Sequence, residues 1–441
     1  MKKIIYIVVI ILILFSCYWF FFVINNPSKN NGGMGQLKSL FPYGVQNYNN
    51  SGSVSQEPGK NNAHTETQVT QTDQYNPLIQ LSTKAVIGIT VVTPPSQVPS
   101  YMQDLTSTST VSIIPQYQST IFSKTKLPVV RFAEHGTGYI YDVDARAQNE
   151  TKQTGTTILR AYEAYFGDFG NSVVIRYLKN DNATIETFLG KIVPPANDNS
   201  GQFASLKGDF LPENILNFMM SPDGNSFDYA LQTDNGLSGV YEKIDGTGEK
   251  QVFTTDLSEW LFDLKQGGLS ATTKASSGIP GYSYIISNTG IFKKVIGEVN
   301  GLTTNMSPDS RQLLYNSADG NSIVTYIRQA NGNSNKLSVS TLAEKCVWSK
   351  KSVLLYCAIP SYIPGGDYPD VWYQGLAHFQ DSIWKIDTVS GNAVKINDLA
   401  DLNIDAVLLT LDQNENFLFF KNNNDGTPWS LDLKPTAQKT K

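Results

Sequence analysis

Histidine, cysteine and clustered basic charge are scarce in this sequence, and each shortage closes off a class of function. There are three histidines, His64, His135 and His378, and no two stand at the H-x-x-x-H spacing that puts two imidazoles on one metal. The three cysteines, Cys17, Cys346 and Cys357, form no C-x-x-C pair, and no EF-hand loop occurs. Lys and Arg never cluster among aromatics and the formal net charge is -5, so nothing predicts nucleic-acid binding. The G-x-S-x-G elbow of an α/β-hydrolase is also missing, because Gly281-Tyr282-Ser283-Tyr284-Ile285 lacks the second glycine. No cofactor and no metal is implied.

What is present begins at the N-terminus. Lys2 and Lys3 precede an uncharged run from Ile4 to Ile24. At about 1.5 Å per residue such a run matches a hydrocarbon core of roughly 30 Å. Residues 1–24 therefore read as a single-pass membrane anchor through residues 4–24, with a cytoplasmic N-terminus and the remainder outside the cell membrane. Two other readings exist. Leu14-Phe15-Ser16-Cys17 resembles a lipobox that would lipidate Cys17, although Tyr18-Trp19-Phe20-Phe21-Phe22-Val23 continues the apolar run where a lipoprotein turns polar. A cleaved secretory signal would need a shorter run and a small-residue site. Residues 25–76 are dominated by Asn, Gln, Ser, Thr, Gly and Lys. Too little apolar surface is available there to offset ordering entropy, which predicts a disordered linker.

The rest of the chain repeats. Met219-Met220-Ser221-Pro222-Asp223-Gly224 followed by Phe227-Asp228-Tyr229-Ala230 returns as Asn305-Met306-Ser307-Pro308-Asp309-Ser310 followed by Leu313-Leu314-Tyr315. Weaker copies lie at 167–174, 263–270, 349–355 and 411–418, with a period near 43 and two insertions. A four-stranded propeller blade takes about 40 to 45 residues. In the Ser-Pro-Asp-Gly turn, Pro presets φ, Asp bonds its own backbone and Gly accepts positive φ, so the Asp is structural. A third-strand pattern of aromatic, any, apolar, Asp recurs at 139–144, 240–245, 383–387 and 429–432. A first module without the turn runs from Ala85 to Asp144 with an insertion at 93–127. The fold expected is all-β, a seven-bladed β-propeller over residues 77–434 with a tail at 435–441. The seventh module stops at Leu433 without an outer strand, and Leu78-Ile79-Gln80-Leu81 is placed to supply it, leaving no open edge.

The Ser-Pro-Asp-Gly turns followed by aromatic strands resemble the WD40-like repeats of TolB-type bacterial extracytoplasmic propellers. That resemblance implies architecture and envelope location. It brings no catalytic motif, since such repeats keep turns and core rather than a site.

Chemistry is sparse. Cys346 and Cys357 flank one predicted hairpin outside the cytoplasm, which favours a structural disulfide. Between Cys357 and Ser382 lies a Pro/Gly-broken insertion that gathers Tyr362, Tyr368, Trp372 and Tyr373 with Asp367 and Asp370. Rings beside carboxylates suit the gripping of peptide or sugar, and equally the sealing of a loop onto its blade. An enzyme with its site in the channel, a hydrolase or lyase, should show charged residues converging at the inner-strand ends. Strands such as Ala406-Val407-Leu408-Leu409-Thr410 are apolar or hydroxylic instead. The expectation is therefore a monomeric, non-catalytic scaffold that binds an envelope protein, peptide or glycan.

Overall fold

The computed structural model describes residues 76–92, 127–196, 201–319 and 322–434. The expected anchor, nearly all of the linker, Cys17, His64, most of the first-blade insertion and the tail lie outside them. Among the described residues no helix is long and apolar enough to cross a membrane.

The described residues form seven antiparallel sheets of four strands each. Their inner strands are Val86–Val92, Ala161–Gly167, Ile215–Met220, Trp260–Lys265, Thr303–Met306, Cys346–Trp348 and Ala406–Leu411. Neighbouring inner strands touch in succession, the fifth reaching the sixth through a short 3-10 turn at Ala343–Lys345, and the seventh meets the first. The array is a closed ring of blades: a seven-bladed β-propeller.

Closure uses the two ends of the repeat region. Leu78–Gln80 pairs with Pro428–Asp432 as the outer strand of blade seven, Leu78 opposite Leu431 and Gln80 opposite Trp429. Leu78 also enters a buried cluster with Leu418, Phe420 and Leu431, so apolar burial adds to the ladder hydrogen bonds. An edge that would otherwise offer unpaired N–H and C=O groups is thereby covered.

Between blades the cores are aromatic. Phe218 stacks on Phe227 and meets Tyr165 of the preceding blade. Trp260, Phe262, Tyr284 and Phe292 interlock with Phe253 across the next junction. Each such ring carries a large share of the apolar area buried on folding.

The recurring turns behave as their chemistry predicts. Asp223 Oδ1 accepts from Ser221 Oγ (2.6 Å) and Asn225 N–H (3.1 Å), and Gly224 takes φ 68°. Asp309 repeats this with Ser307 Oγ at 2.7 Å. These turns also join neighbouring blades on one face. The Asp168 N–H donates to Gly224 O (2.9 Å), Ser352 Oγ to Asp309 Oδ1 (3.3 Å) and Lys350 N–H to Glu415 Oε1 (2.7 Å). The opposite face holds the connectors that enter the inner strands and the loops between second and third strands. The sixth-blade insertion lies on that face.

Candidate functional site at the sixth-blade insertion

Blade six consists of Cys346–Trp348, Leu354–Pro360, Asp381–Asp387 and Ala393–Asp398. Cys346 and Cys357 are directly opposite in register and are joined by a disulfide. Residues 361–380 leave the second strand. Pro364, Gly365 and Gly366 prevent any regular start, and the segment then closes into one helical turn at Asp370–Tyr373.

That turn points its rings inward. Tyr368 stacks on Phe379 at 5.8 Å and Trp372 on Phe379 at 6.3 Å. The cluster packs against Ala318 and Ile323 of blade five, Val407 and Leu408 of blade seven and Leu261 of the fourth inner strand. Asp370 Oδ2 accepts the Ser277 N–H of blade four (3.3 Å). Gly301, at φ 58°, passes so close that a Cβ there would lie 2.6 Å from Tyr368 O. Leu408 sits in a bulge of the seventh inner strand at φ 53°, a left-handed conformation that costs a leucine on the order of 1 kcal/mol. The insertion is thus a cap that spans blades four to seven over the starts of their inner strands.

Of the two readings of this loop, three of its four rings follow the sealing one. Tyr368, Trp372 and Tyr373 are buried, Trp372 only 2% accessible. Their apolar area is more favourably spent on the cap's own core than left in water. Of the six residues singled out there, Tyr362 is 73% exposed, Asp367 is exposed and Asp370 is half-buried. Leu376 on the cap and Ile279 on the adjacent blade-four loop are exposed as well.

Beneath the rings lies a group of charges that sequence reasoning missed. Lys345 precedes the sixth inner strand, Asp405 the seventh, and Asp381 opens the third strand of blade six. All three side chains are fully buried. Lys345 Nζ contacts Asp405 Oδ1, lies 2.9 Å from Asp381 Oδ2 and donates to Ala406 O (3.0 Å). Trp372 Nε1 and the Phe379 N–H both donate to Asp405 Oδ2, at 3.0 and 3.4 Å. The Ala406 N–H donates to Asp381 Oδ2 (2.7 Å), while Asp381 Oδ1 is buried with no hydrogen-bond partner. The Trp372 and Phe379 rings cover the ammonium at 5.5 and 5.2 Å.

Burial opposes the Lys345 charge, but Asp381 and Asp405 outweigh it and its pKa moves up. Burial raises Asp381 to about 6 against the pull of Lys345. Nearby Glu344, which accepts from Tyr373 Oη, is raised to about 7 by burial. Charged groups therefore do converge at inner-strand ends, contrary to the apolar expectation. They were hidden because Lys345 and Asp405 stand one residue ahead of the strands, and Asp381 is distant in sequence from both. Their one local signal is a charge directly abutting an apolar inner strand.

Two acidic turns elsewhere on the surface, those of Asp181 and Asp425, are bonded within themselves. Asp181 caps its own turn through Ala183, Thr184 and the Thr184 hydroxyl, and Asp425 does the same through Thr427.

No protein-family model matches the sequence, and no curated protein matches it either. Among solved structures, the chain is similar to an oligogalacturonate lyase from Vibrio parahaemolyticus, at 10% identity over 70% of this chain and 94% of that one, TM-score 0.43. It is similar to the tricorn protease at 11% identity over 69% of this chain, TM-score 0.45, and spans 32% of that protease. Hydrazine synthase from Kuenenia stuttgartiensis gives 12% identity over 71% of this chain and 98% of that one, TM-score 0.43. Likeness at this level concerns propeller architecture, which many unrelated activities share.

Proposed function

We propose that this chain is a non-catalytic binding scaffold of the cell envelope, a rigid propeller of TolB-like type held outside the membrane by residues 4–24 on a tether formed by 25–76. Its partner is an envelope protein, peptide or glycan. The observation that carries the non-catalytic half is the burial of Lys345, Asp381 and Asp405 under the aromatic cap. Charges at inner-strand ends are where a channel-sited hydrolase or lyase would keep its acid and base, and here no substrate can reach them. The membrane half is supported by the uncharged run behind Lys2 and Lys3. For recognition, the accessible apolar groups of the cap face are Tyr362, Leu376 and Ile279.

The test is crosslinking capture in intact cells with the full-length tagged chain. Tyr362→Ser together with Leu376→Ser should weaken partner capture by an amount worth on the order of 2 kcal/mol, as for a central anchor, with the melting temperature unchanged. Undiminished capture would remove the cap face from the binding surface.

A further inference from the structure

We propose that Lys345 and Asp405 are joined by an intramolecular isopeptide bond, an amide between Lys345 Nζ and Asp405 Cγ, with Asp381 acting as proton carrier. Amine and carboxyl are already in contact, both fully buried, and the site is roofed by Trp372 and Phe379. Water, the competing nucleophile and the source of the reverse reaction, is excluded by that roof.

The two Asp405 oxygens have different surroundings. Oδ2 receives Trp372 Nε1–H and the Phe379 N–H, donors placed to hold negative charge when the carbonyl carbon becomes tetrahedral. Oδ1 faces the amine and is the oxygen that leaves. Asp381 presents Oδ2 to Nζ at 2.9 Å. Its Oδ1 is a buried oxygen without a partner, a place where a proton resides more cheaply than a second unpaired charge.

The step balances without any co-reactant. An Nζ proton passes to Asp381, and the freed lone pair forms the Nζ–Cγ bond. The Cγ–Oδ1 bond then breaks. Of the three ammonium protons one stays on the amide nitrogen and two depart with Oδ1 as water, while Asp381 returns to its starting protonation state. Nothing is oxidised or reduced. The product replaces two buried charges by a neutral amide, relieving the desolvation penalty of the pair. It also staples the starts of the sixth and seventh inner strands, next to the disulfide that staples blade six internally.

Mass spectrometry of the full-length protein tests this. After reduction, a tryptic digest of the wild type should contain a branched peptide linking the Lys345 and Asp405 segments, lighter by one water than its two arms. Lys345→Arg should abolish it, and Asp405→Asn should give the same branched product with loss of ammonia instead of water. In refolding time courses Asp381→Asn should slow its appearance about a hundredfold or more, as for loss of a general acid–base. Recovery of both wild-type segments only as unlinked peptides would overturn the bond. A branched peptide that forms at the wild-type rate in Asp381→Asn would overturn the role given to Asp381.

Discussion

Two buried ionic groups in this propeller use opposite designs. In blade one, Arg131 faces Asp142 across adjacent strands, with Nε and Nη2 each 2.7 Å from one carboxylate oxygen, while Nη1 reaches Gly170 O of blade two at 2.7 Å. One fork meets one carboxylate, charges cancel and no oxygen of Asp142 is orphaned. At the junction of blades six and seven, Lys345 faces two carboxylates, and Asp381 Oδ1 has no partner. The first arrangement is a finished clamp between blades. The second holds one acid more than its cation can neutralise, which leaves room for a proton to move. A planar guanidinium specifies geometry, whereas a point-charge ammonium with two carboxylates leaves protonation open.

The largest effect that separates the two should come from removing the cations. Arg131→Met leaves one buried carboxylate uncompensated, a cost of about 3–5 kcal/mol. Lys345→Met leaves Asp381 and Asp405 facing each other without a cation and without the Lys345–Asp405 link, and should cost more, measured as the difference in denaturation midpoint times the slope. Equal losses would mean that the second carboxylate simply takes up a proton without consequence.

Trp372→Ala tests the roof over the second group. Loss of the ring and of its Nε1 donation to Asp405 should destabilise the fold by about 3–5 kcal/mol and lower the melting temperature. An unchanged melting temperature would mean that Trp372 does not hold the cap in place.

The smallest effect is a pH dependence. Burial raises Asp381 from 3.8 to about 6, so the folded state binds this proton more tightly than the unfolded chain. Stability from that proton is fully present below about pH 4 and is lost as pH rises through the folded value. Between about pH 4 and pH 7 the wild type should therefore lose more stability than Asp381→Asn, whose amide does not titrate. Parallel melting curves for both across that range would refute the assignment.

The sequence alone determined the repeat and its closure. Turn chemistry at Ser221-Pro222-Asp223-Gly224 and Ser307-Pro308-Asp309-Ser310 acts within a few residues, and so does strand alternation, so blade count and the place of Leu78–Gln80 were legible. The direction in which an irregular loop turns its rings is not local. Only tertiary structure decided that Trp372 and Tyr368 face Val407, Ala318 and Leu342 rather than solvent, because burial depends on apolar surface supplied by other blades. Lys345, Asp381 and Asp405 were illegible for the same reason. Separated by tens of residues, they meet because three strand ends converge at one junction, and the low dielectric that gives the cluster its character exists only once the cap has closed over it.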